Sequence, residues 1–181
     1  MKRFYLACGL AVAIALLQGC GSGSEGGSSD GAGTTTTGGS ATIGATGGTL
    51  VSAEGVTVVV PAGAASAPVT VRVAKDATGA PALPTTGPKA AGDIYAITPH
   101  GQIFTGDVTV SVPVPNVTVA DNEKLVLAKA ELGGSDWVLQ PTTVQDGMLQ
   151  TTLRSFSFVV PVIVPFAQPL LSLPPLAVDQ V

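Results

Sequence analysis

The residue whose surroundings most clearly specify chemistry is Cys20. It follows Leu17, Gln18 and Gly19, and ahead of these stand the basic Lys2 and Arg3 and an apolar run over residues 6–17 that only Gly9 interrupts. A positive end that stays inside, a short apolar segment that enters the bilayer and a small residue at the cut site make up an export signal. A cysteine directly after the cut adds a thiol that can take lipid through a thioether. The order predicts cleavage between Gly19 and Cys20 and lipidation of Cys20, with Gln18 the one less usual residue of the lipobox. The apolar stretch is too short for a permanent span.

Cleavage there removes Cys8, so the mature chain keeps a single cysteine and has no internal disulfide. Its fold must rely on a hydrophobic core. One acyl chain holds a protein only marginally, whereas two or three hold it firmly. Gly21 and Ser22, rather than an aspartate, follow the cysteine. A bacterial cell-envelope protein held by lipid on Cys20 is therefore expected, at the outer membrane where the source is Gram-negative.

Other chemistries lack their residues. His100 is the only histidine, and with one lipidated cysteine it leaves no zinc site of ordinary composition. The Gly-rich stretch has no lysine and follows no strand, so it is no phosphate loop. Asp121, Asn122 and Glu123 fall in one turn that offers oxygen ligands to calcium, but an ordinary solvated turn is the preferred reading. The 8 basic residues less Lys2 and Arg3 leave 6 against 12 acidic ones, a balance of −6 that disfavours nucleic acid. No cofactor, no metal and no enzymatic activity are expected.

The elements that carry these residues fall into four parts. Residues 1–19 are the signal peptide. Residues 20–40, the lipidated cysteine and a run of Gly, Ser and Thr, read as a disordered tether with a root-mean-square reach of about 25 Å. Residues 41–160 carry alternating, β-branched runs at 56–60, 69–73, 93–98 and 108–112, with further candidates at 125–130, 137–139, 148–153 and 156–164. Short strands at such spacing predict an all-β fold, an antiparallel β-sandwich. Aromatic residues are 4% of the chain and hydrophobic ones 45%, so the core must be largely aliphatic. Trp137, Tyr95, Phe104, Phe156 and Phe158 are expected to join it. Residues 161–181 form a Pro-rich apolar tail. Pro161, Pro165 and Pro169 deny that region a helix, so an extended strand running into a polyproline-like tail is predicted.

Several of these residues fall in a familiar order. Gly47-Gly48-Thr49-Leu50 and the run from Gly55 through Pro61 and Gly63 to Ala64 are followed by the run from Tyr95 through Pro99, His100 and Gly101 to Phe104. A strand from Val108 to Pro113, then Trp137-Val138-Leu139 and Ser155-Phe156-Ser157, complete the series. Over residues 43–160 the chain resembles the domain shared by zona occludens proteins, Unc-five netrin receptors and ankyrins. The resemblance implies a β-sandwich that mediates protein contacts. It also raises self-cleavage, because some members cut themselves at a closing His-Phe-Ser motif. Here serine stands in the histidine's place at Ser155, and Ser157 has no adjacent base.

The expectation is thus a non-enzymatic envelope lipoprotein with an interaction or structural module, its partners the membrane and an unknown envelope protein. The alternatives are a glycan- or ligand-binding subunit using Trp137, Tyr95 and His100, and an autoproteolytic domain.

Overall fold

The computed structural model describes residues 33–166. The signal peptide, Gly19 and Cys20, the tether up to residue 32 and the tail from residue 167 lie outside these.

Thirteen strands follow one another, and among the described residues there is no helix. They are β1 (Thr34–Thr37), β2 (Ser40–Ile43), β3 (Gly48–Val51), β4 (Thr57–Val60), β5 (Val69–Lys75), β6 (Lys89–Ala90) and β7 (Tyr95–Thr98). Then come β8 (Ile103–Pro113), β9 (Glu123–Ala130), β10 (Val138–Leu139), β11 (Thr143–Gln145), β12 (Met148–Ser155) and β13 (Phe158–Pro165). One sheet has the order β1-β3-β4-β8-β12-β11, and the other β10-β9-β13-β7-β5-β2 with β6 against β13. Every pairing is antiparallel except β1 with β3. The predicted all-β sandwich is the fold observed.

The core follows from alternation. Along β4 and β8, Val58, Val60, Val108, Val110 and Val112 point inward and meet Val71, Val73, Ile97, Leu127 and Val159 of the facing sheet. Aliphatic branches supply most of this layer, with Phe104 and Phe156 meeting edge-on at 4.6 Å between ring centres. Gly47 is required in the turn between β2 and β3, where the chain passes close to the end of β4. Its φ is +73°, and a β-carbon there would stand 2.5 Å from the Val60 carbonyl oxygen.

The second sheet is covered on its outer face as well. Val126, Ala128, Val160, Val162 and Val164 form a separate apolar cluster, closed over by Leu83, Ile94 and Trp137. This is why β13 reads as a nearly unbroken apolar run rather than an alternating one. Pro161 fits in it because its carbonyl accepts the Ala91 amide, so its missing N–H faces the gap between β6 and β7 and not the ladder with β9.

Details differ from the expectations. Thr34–Thr37, inside the segment read as tether, pairs with β3, and β13 carries the sheet to Pro165, beyond residue 160. Strands β2, β3, β6 and β11 were not predicted, being two to four residues long. Trp137 is half-buried on the outer face, its Nε1 donating to the Pro81 carbonyl at 3.2 Å, and so does not enter the layer between the sheets.

Candidate functional site

Of the residues singled out for chemistry within the described region, Ser155, Ser157 and His100 come together where β12 crosses to β13. Ser155 ends β12, Phe158 begins β13, and Phe156 and Ser157 bridge the two sheets. Phe156 is fully buried and anchors the crossing against Phe104. Both carbonyls of the link are satisfied: Phe156 O accepts the Gly101 amide at 2.9 Å and Ser157 O accepts the Ile97 amide at 3.0 Å.

The two serines have distinct partners. The buried Ser157 hydroxyl donates to the Ala130 carbonyl at the end of β9. Ser155 Oγ accepts a hydrogen bond from Lys129 Nζ at 2.7 Å, and the same ammonium pairs with Glu131. Lys129 is therefore a donor to Ser155, held by a carboxylate, and not a group placed to withdraw a proton. Glu131 is pulled two ways: burial works to raise its pKa, but Lys129, with help from Ser157 and Ser155, outweighs this and holds it below the ordinary value. A carboxylate so stabilised is a weak base near neutral pH.

His100 sits beside this link, since its neighbour Gly101 binds Phe156. Its ring lies 4.5 Å from that of Phe158, and its Nδ1 is buried with no hydrogen-bond partner among the described residues. The proposed contact strip of Trp137, Tyr95 and His100 is not assembled. Tyr95 belongs to the layer between the sheets, and burial first of all raises its hydroxyl pKa, whereas Trp137 lies on the outer face. Asp121, Asn122 and Glu123 form a turn in which Glu123 faces Lys89 at 3.5 Å and the Asn122 carbonyl accepts the Phe166 amide.

Next to Lys129 and Glu131 opens a cleft of about 490 Å³, bounded also by Val138, Gln140, Thr152, Leu153 and Arg154. Sequence reasoning missed it because its walls are strand edges rather than a motif. One signal was available: Asp146-Gly147 is a two-residue turn, with φ of +51° and +73°, that announces the β11–β12 hairpin forming one wall.

A family model described as the ZU5 domain matches residues 39–131, just over half of the chain. It runs from the start of β2 to Glu131 and stops short of the cleft's second wall and of Ser155-Phe156-Ser157. No curated protein matches the chain.

Proposed function

We propose that this chain, which belongs to the ZU5 domain family, acts as a lipid-anchored envelope protein whose sandwich engages another protein rather than transforming a substrate. The observation that carries this reading is the state of the family's one reactive motif. At Ser155-Phe156-Ser157 the second hydroxyl is buried and donates to a carbonyl, and the first accepts from an ammonium. A fold used for contact, with its reactive link held quiet by hydrogen bonds, suits a binding module.

The anchor is supported by the order Leu17-Gln18-Gly19-Cys20 and by the Gly, Ser and Thr run behind it. Lipid on Cys20 would place the domain at a membrane surface, and Gly21 and Ser22 favour the outer membrane of a Gram-negative cell. Replacing Cys20 with alanine is expected to abolish labelling by a clickable fatty acid and to move the protein out of the membrane fraction. Continued labelling of the variant would overturn the anchor.

A further inference from the structure

The two long seams of the sandwich differ. On one side the chain passes directly from β1 to β2 through Gly38 and Gly39, joining the edges of both sheets. On the other, β12 is eight residues long while its outer neighbour β11 is three and pairs only with Met148, Leu149 and Gln150. Among the described residues, no strand continues β11 along the rest of that edge of β12, whose other edge is paired with β8.

The two-residue turn at Asp146-Gly147 makes Gln145 and Met148 a mutually hydrogen-bonded pair. Even-numbered residues of β12 thus turn their N–H and C=O toward β11, and Thr152 continues that series past its end, up to the register shift between Leu153 and Ser155. Its main-chain groups face the cleft. Across it stands β10, where Val138 pairs with Lys129 and Leu139 with Ala128. Ala128 belongs to the outer cluster, so Val138 points to the inner side of its sheet. It is nevertheless 61% exposed, because nothing among the described residues lies opposite it.

We infer that this gap receives an extended strand of a partner protein, added to β12 in antiparallel sense and in line with β11. The inference rests on the reading of the domain as an interaction module and specifies where it binds and what it binds. Edge addition takes its affinity from main-chain bonds and its selectivity from alternate side chains. The residue opposite Leu153 turns inward over Val138 and must be aliphatic. The residue opposite Arg154 shares the outer face with a guanidinium that is 69% exposed and uses Nε on Asp107 at 2.7 Å. Its remaining N–H donors suit an acidic side chain. The residue opposite Thr152 is polar. From N to C the occupant reads acidic, aliphatic, polar.

The probe is the peptide Ser-Glu-Val-Thr-Ser, titrated into the purified full chain and followed by hydrogen exchange. Protection of the Thr152 amide is expected. An N-methyl group on the peptide's threonine, whose N–H points at β12, should weaken binding about tenfold, while one on its valine, which points away, should be tolerated. Val138→Asp and Arg154→Glu should each abolish protection without unfolding the chain. Protection elsewhere, or equal effects of the two methyl groups, overturns the inference, as does peptide-competed doubling of mass, which would seat a second copy there. Photo-crosslinking of the intact protein in cells separates the two levels. Adducts that persist in Val138→Asp and Arg154→Glu would leave the interaction reading standing and sink this site, and no adduct from any surface position would sink the reading itself.

Discussion

The hydroxyl of Ser157 is a hydrogen-bond donor to the carbonyl of Ala130, so the residue that leads into β13 is fastened to the end of the neighbouring β9. That proton is directed at an amide oxygen, which is no base. Neither Phe156 nor Ser157 is among the residues with positive φ, so the link lacks that form of strain.

The wild-type chain is therefore expected to stay whole at this link, and intact mass spectrometry checks it. Ser155→His, which restores a histidine to the motif, is also expected to remain whole because the Ser157 hydroxyl points to Ala130. A general base typically contributes about 10²- to 10⁴-fold to such a step. A fragment with the mass of residues 157–181 in either protein would show that the link is reactive after all.

Phe156→Ala should destabilise the domain by about 3–5 kcal/mol. The ring is fully buried, packs on Phe104 and is the largest side chain at the crossing between sheets. Urea unfolding at constant m-value would read this as a lowered midpoint. A loss below about 1 kcal/mol would mean that the neighbouring side chains collapse into the space.

Glu131 makes the stability of this corner depend on pH. Its folded-state pKa lies below the ordinary 4.5, burial being outweighed by Lys129 and the two serines. Its contribution is present above the unfolded value and disappears as pH falls through the lower folded one. Glu131→Gln should lower the unfolding temperature at higher pH, by little because the side chain is more than half exposed, and should converge with the wild type as pH falls through that window, leaving a shallower acid slope. An unchanged acid slope would assign the pH dependence to other carboxylates.

Legibility in the sequence tracked burial. The runs around Val58, Val71, Val110 and Val126 alternate against a core and stand out. The strand Phe158–Pro165 could be read as extended because its prolines forbid a helix, but its second apolar face gave no hint of the covering segment with Leu83 and Ile94. Thr34–Thr37 looks like a tether since its side chains are largely exposed, and only main-chain pairing makes it a strand. Lys129 and Ser155 are 26 residues apart and meet because β9 and β12 lie in facing sheets. Tyr95 and Trp137, both aromatic and both in or beside strands, fall on opposite faces of one sheet, a distinction that depends on register.

The parallel pairing of β1 with β3 also has a mechanical consequence. Tension arriving through Gly33 meets the four rungs from Thr34 to Thr37 before it reaches Ser40. Peeling those rungs exposes almost no apolar surface, so it costs far less than opening the core. It would free six residues, 34–39, a contour of about 20 Å. A pull from the N-terminal side would therefore unzip β1 first, with β2 and the strands after it still paired.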